Sequence, residues 1–176
     1  MLTEQEIRRE TVFSVAKKMA VAARTAPKGR GVDNLEIKII SEKNELDAIA
    51  NILEELAVKF NQDFFARDAK NIRHSDAVLL LGTKIKPMGL TVCGACGFKN
   101  CAEKIQYIEV PCIFNTNDLG IAIGSAVSIA ADNRIDNRVM YTLGIAAKEL
   151  KFFPDDVKII LGIVMGIYSK NIFFDR

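Results

Sequence analysis

Leu119-Gly120-Ile121-Ala122-Ile123-Gly124-Ser125-Ala126-Val127-Ser128-Ile129-Ala130-Ala131 is the longest uncharged apolar stretch of this 176-residue chain. It is apolar nearly all round, so as a helix it belongs either at the centre of a core or under the cover of another subunit. Gly120, Gly124, Ser125 and Ala126 would admit close approach of a neighbour. The stretch falls short of the roughly 18 residues that begin to suggest a membrane span, so no membrane association is expected.

Around this helix the pattern alternates between helix and strand. Thr3 and Glu6 form a capping box, and Val12, Val15, Ala16, Met19, Ala20 and Ala23 repeat at helical spacing. This predicts a first helix to about Arg24, stopped by the basic loop Ala26-Pro27-Lys28-Gly29-Arg30-Gly31. Leu35 to Ile40 alternates as a strand does, and Asn44 would cap a following helix carrying Leu46, Ile49, Leu53, Leu56 and Phe60. Ala77 to Leu81, ending in Gly82, is a short continuous apolar run, as expected of a strand buried on both faces. A helix over about Thr142 to Leu150 precedes a core strand at Val157 to Val164. No repeat or linker divides the chain, so one α+β domain over 1–176 is expected, with a cysteine-rich segment at about 88–114.

Charge and targeting narrow the function. Twenty-four basic against twenty-two acidic residues leave a net charge of +2, too slight to argue for a nucleic-acid partner. Met1-Leu2-Thr3-Glu4-Gln5-Glu6 places acids where a signal peptide carries bases, so a cytoplasmic location is expected. In that reducing compartment the four cysteines would be thiols or metal ligands. All four fall in one twenty-residue window, with the spacing C-x2-C-x4-C-x10-C.

Val92-Cys93-Gly94-Ala95-Cys96-Gly97-Phe98-Lys99-Asn100-Cys101, closed by Pro111-Cys112, is therefore the candidate site. A 4Fe-4S cluster needs four thiolates around a compact inorganic core. A Cys-Gly-x-Cys-Gly turn can direct sulfurs inward while backbone N–H groups donate to the sulfides. Cys93, Cys96, Cys101 and Cys112 are the expected ligands, and electron transfer is the expected role, with a redox protein or small electron carrier as partner. Zinc held by four cysteines stays open, as does a non-catalytic domain in which zinc or a cluster stabilises a loop that binds a partner, and a thioredoxin-like dithiol would not need Cys101 and Cys112 nearby.

Cys93 to Cys101 resembles the Cys-Gly-x-Cys-Gly-x-x-x-Cys segment of four-cysteine iron–sulfur domains in anaerobic electron-transfer and corrinoid iron–sulfur proteins. The chain as a whole resembles ferredoxin-domain-containing proteins of anaerobic bacteria and archaea, through Asp136-Asn137-Arg138-Val139-Met140-Tyr141 and Ser169-Lys170-Asn171-Ile172-Phe173-Phe174-Asp175-Arg176. A fainter similarity runs to flavin-dependent nitroreductases, with Ala26-Pro27-Lys28 and Asn34 in the places of that family's Ala-Pro-Ser and following Asn. That resemblance implies an α+β sandwich with a central mixed sheet flanked by helices, a homodimer paired through the helix from Leu119, and FMN as a further cofactor of an oxidoreductase. Arg24, Lys28, Arg30, Asn34, Lys170 and Arg176 would then hold the flavin, the bases through charge-assisted contacts to its phosphate. The family's Arg-Arg-Ser-x-Arg segment is reduced here to Arg8-Arg9-Glu10, inside the first helix.

Other residues read more plainly. His74 is the only histidine and sits in a loop before a strand, where a solvated role is expected. Asp132, Asn133, Asp136 and Asn137 lack the Gly and terminal Glu of a calcium loop and suit a helix end and turn. No Gly-x-Gly-x-x-Gly, P-loop or Gly-x-Ser-x-Gly occurs, which removes the usual sequence arguments for dinucleotide, nucleoside triphosphate or acyl-transfer chemistry.

Overall fold

The first helix starts where its capping box predicts, with Thr3 N–H donating to Glu6 Oε2 at 2.7 Å and Glu6 N–H to Thr3 Oγ1 at 3.3 Å. A computed structural model describes residues 1–174. Helix α1 spans Glu4–Thr25, and after a 3-10 turn at Gly29–Gly31 the chain enters strand β1, Leu35–Ile40. Helices α2 (Lys43–Phe60) and α3 (Asp63–Arg73) lead to β2 (Ala77–Lys84). Beyond β2 come the short α4 (Cys101–Lys104), α5 (Ile113–Asp132), β3 (Asp136–Met140), α6 (Thr142–Glu149), β4 (Val157–Gly166) and a 3-10 turn at Ile172–Phe174.

The α+β sandwich expected from the sequence is present: four strands in the order β1-β2-β4-β3 lie between two helical layers. Alternation along β2 serves both layers. Leu79 and Leu81 join Val12, Val15 and Met19 of α1 and Leu119, Ala122 and Ala126 of α5. Val78 and Leu80 join Leu46, Ile49 and Leu53 of α2, Phe65 and Ile72 of α3, and Leu143 and Ala146 of α6. This double burial is why β2 reads as an unbroken apolar run.

The sheet differs from the mixed one expected: all three pairings among the described residues are antiparallel. The connections explain this. The helical hairpin α2–α3 carries the chain down and back, so β2 begins beside the end of β1, with Val78 opposite Ile40. Likewise α6 and its loop return the chain so that Gly162 of β4 lies opposite Met140, the last residue of β3. A return to the same end of the sheet permits only an antiparallel neighbour.

The start of α2 also differs. Its N-cap position is Glu42, and Asn44 lies inside the first turn, its Oδ1 accepting from Glu45 N–H at 3.0 Å. Two elements have no sequence forecast, α3 and β3. The buried face of α3 includes Asp68 and Asn71, which interrupt the apolar period, and β3 is a short edge strand of mainly polar residues.

Candidate metal centre

The cysteine segment is the excursion of residues 85–112 between β2 and α5, and its root is fixed by polar side chains that the core does not supply. Lys86 N–H donates to Asn115 Oδ1 at 2.8 Å, and the Arg30 guanidinium donates to Met88 O at 2.9 Å. Gly29 N–H donates to Asp118 Oδ1 at 3.0 Å. The first turns of α5 thus hold both the 3-10 turn and the strand exit. Asn115 is 1% exposed, and its Nδ2 has no partner among the described residues.

Within the loop, Gly94 (φ 97°) and Gly97 (φ 89°) adopt the left-handed backbone that the motif requires, closed by Gly97 N–H donating to Gly94 O at 3.0 Å. Asn100 caps α4 by accepting from Glu103 N–H at 2.9 Å, while Glu103 Oε2 accepts from Lys99 N–H at 2.7 Å. The Phe98 and Tyr107 rings stack with centroids 5.0 Å apart, which ties the glycine turn to the segment after α4.

All four cysteines are free thiols. Cys101 opens α4 and Cys112 is the N-cap residue of α5, both buried, whereas Cys93 and Cys96 are half-buried on the glycine turn. The N-terminus of the twenty-residue α5 is a favourable place for negative charge, since its unpaired N–H groups carry partial positive charge. Among the described residues, however, no three His, Cys, Asp or Glu side chains converge on a point able to hold a metal ion. The donor set fits an iron–sulfur or zinc group in number and kind, though no three of the sulfurs converge in this structure.

The bases expected at a flavin phosphate are engaged internally. Arg24 Nη1 donates to Asp33 Oδ2 at 2.6 Å and to Leu35 O at 3.0 Å. Lys28 Nζ donates to the carbonyls of Ala23 and Ala26 at 2.8 and 2.7 Å and to Arg24 O, capping the end of α1. Burial pushes its ammonium below the usual lysine range. Arg30 has a left-handed backbone (φ 55°) and holds Met88, Asn34 is buried, and Lys170 follows β4 with contacts of its own. Arg176 lies outside the described residues.

A cavity of about 350 Å³, lined by Glu4, Gln5, Arg8, His74, Asp76, Ile167 and Tyr168, opens between the start of α1 and the chain after β4. The Tyr168 hydroxyl donates to His74 O, and burial, followed by the nearby Asp76, pushes its phenol up to about 12. Helical periodicity gave no reason to single out Arg8. Only the nitroreductase pattern, which places arginines near the N-terminus, carried that signal. His74 is exposed, with Nδ1 2.7 Å from Lys70 O. Asp136 Oδ2 accepts from Tyr168 N–H at 3.1 Å, as suits a strand start.

Comparison with known proteins places these features in a family. Residues 109–176 match the family described as "Uncharacterized protein containing a ferredoxin domain (DUF2148)", a stretch that includes Cys112 and follows the other three cysteines. A protein of Archaeoglobus fulgidus is 40% identical over 184 residues, covering 100% of this chain and 97% of its own. A solved BluB-like flavoprotein from Clostridium difficile 630 is 19% identical with a TM-score of 0.60, over 90% of this chain and 81% of that one. A nitroreductase family protein from Clostridium novyi NT is 15% identical with a TM-score of 0.62, over 90% and 77% of the two chains. At those identities the likeness to the two solved structures concerns the fold alone. With an archaeal relative 40% identical over the whole chain and a family match over residues 109–176, the chain belongs to the ferredoxin-domain-containing DUF2148 family, built on a nitroreductase-type fold.

Proposed function

We propose that this protein is an iron–sulfur redox protein in which Cys93, Cys96, Cys101 and Cys112 bind one cluster of the 4Fe-4S type and pass single electrons to a redox protein or small carrier. The observation that carries the reading is the concentration of every cysteine, each a free thiol, in residues 85–112. The family description, which contains a ferredoxin domain, supports it. A bound cluster would supply a one-electron couple, and the chain's residues shape its surroundings. Gly94 and Gly97 let the backbone approach sulfur closely, and Cys112 brings its thiol to the positive end of α5. The Phe98–Tyr107 stack braces the turn against the segment after α4.

We further propose a homodimer formed through α5. Gly120, Ile121, Gly124 and Ser128 make an exposed stripe opposite the buried face of that helix, and a Cβ added at either glycine meets nothing beyond the helix's own backbone within 4 Å. A second reading, an FMN-dependent oxidoreductase carrying the cluster, is favoured by the nitroreductase-type fold and by the cavity beside Arg8.

Anaerobic purification with absorption spectra and analysis of iron, sulfide, zinc and flavin tests these readings. Broad visible absorption with matching iron and sulfide is expected, and a Cys112→Ser chain should lose most of both. A colourless protein with one zinc per chain would refute the redox assignment, and a bound yellow cofactor would favour the flavoenzyme.

A further inference from the structure

Lys104 is among the largest fully buried side chains of the described protein and is 1% exposed. An ammonium has three donors, yet among the described residues Lys104 Nζ makes one hydrogen bond, to the neutral carbonyl of Tyr107 at 3.0 Å. No carboxylate among the described residues forms an ion pair with it. The two acids nearest in sequence are spoken for, since Glu103 accepts from Lys99 N–H and Glu109 pairs with Lys158 at 3.6 Å. A buried charge without a counter-charge costs far more than a buried neutral group, and long lysine stems normally carry their heads to water.

The sequence offers the missing anion at short range. Lys104 follows Cys101 by three residues on α4, so the two share a face of the turn, and both are buried. Around Lys104 lies a cavity of about 110 Å³ whose other walls are Ile85, Pro87, Ile105 and Ile108. The side chain itself is enclosed, so its charge interactions are screened less than those of a surface lysine.

We propose that Lys104 is the counter-cation of a negatively charged tetrathiolate centre in the cysteine loop. This rests on the metal-centre assignment above and adds a specific role for one residue. Iron–sulfide and zinc centres held by four thiolates are both net negative, so the electrostatic requirement is common to them. For a redox cluster, the ammonium would favour the more negative reduced state and so raise the potential. In the empty protein the same residue is an uncompensated burden.

The test uses the full chain as wild type, Lys104→Met and Lys104→Arg, each emptied and then reconstituted anaerobically with iron and sulfide or with zinc. Metal and sulfide content, thermal midpoints of empty and loaded forms, and midpoint potential by mediated titration with electron paramagnetic resonance are measured. Lys104→Met is expected to melt higher than wild type when empty, to gain less on loading, and to shift the cluster potential negative. Lys104→Arg should retain most of the wild-type gain. A loaded Lys104→Met chain with unchanged potential and unchanged gain on loading would overturn the proposal while leaving the metal centre intact. A wild-type chain that takes up neither iron–sulfide nor zinc would overturn both. If zinc alone binds, the gain on loading still decides the role of Lys104.

Discussion

The carboxylate of Asp118 accepts the backbone N–H of Gly29 at 3.0 Å, joining residues 89 positions apart. Asp118 is 6% exposed, and Arg30, next to Gly29, holds Met88 at the root of the cysteine loop. One side chain of α5 thereby sets the position of the basic turn, and that turn helps to hold the loop.

Asp118→Ala should destabilise the fold by about 1–3 kcal/mol, because a donor that is partly buried loses a charged acceptor. Asp118→Asn keeps an acceptor oxygen and should lose less. Urea unfolding measures both, and hydrogen exchange should show faster amide exchange at residues 86–92 in the alanine variant. An Asp118→Ala chain as stable as wild type would mean that the contact contributes nothing.

Gly144 brings α6 against β4 so closely that an added Cβ would lie 1.9 Å from Ile160 O. The clashing atom is backbone and cannot rotate away. Gly144→Ala should therefore cost about 3 kcal/mol or more despite its better helix propensity, read as a lower urea midpoint. Gly120→Ala, on the open face of α5, is the control and should be neutral or slightly stabilising.

Burial holds the Asp76 carboxyl above the usual carboxylate range, against the opposing pull of Arg9 and Arg8. The folded chain then binds this proton more tightly than the unfolded chain. Its contribution favours folding below the unfolded value near 3.9, and that favour is lost as pH rises through the elevated folded value. Asp76→Asn is expected to raise the thermal midpoint at pH 7, with the advantage shrinking below about pH 4. A gain that is equal at both pH values would contradict this account.

Gly124→Leu places a bulky side chain on the exposed stripe of α5, where a Cβ meets nothing beyond the helix's own backbone within 4 Å. The variant should fold, by circular dichroism, and should run as a monomer in light scattering where the wild type is a dimer. A wild-type monomer, or a dimer indifferent to this change, would remove α5 as the pairing surface.

Much of the architecture was legible in segments whose burial is apolar. The capping box of α1, the strand at Leu35–Ile40, the doubly buried β2 and the all-round apolar α5 all follow from residue spacing. Helix α3 escaped because Asp68 and Asn71 lie on its buried face. Asp68 is satisfied by Thr142 Oγ1, which donates at 2.8 Å from 74 residues away. The first six residues of α5 escaped for the same reason, with Asn115 and Asp118 buried among them.

The sequence by itself determined the elements with apolar periodicity and the gathering of all thiols into one loop, because both are local properties of the chain. Tertiary structure decided the antiparallel sheet, since strand direction depends on the end to which each connection returns. It also decided that Arg24, Lys28 and Arg30 serve the protein's own carbonyls and carboxylate, and that Lys104 is enclosed. Whether a charge meets water or a partner depends on groups distant in sequence, and spacing along the chain carries no record of them.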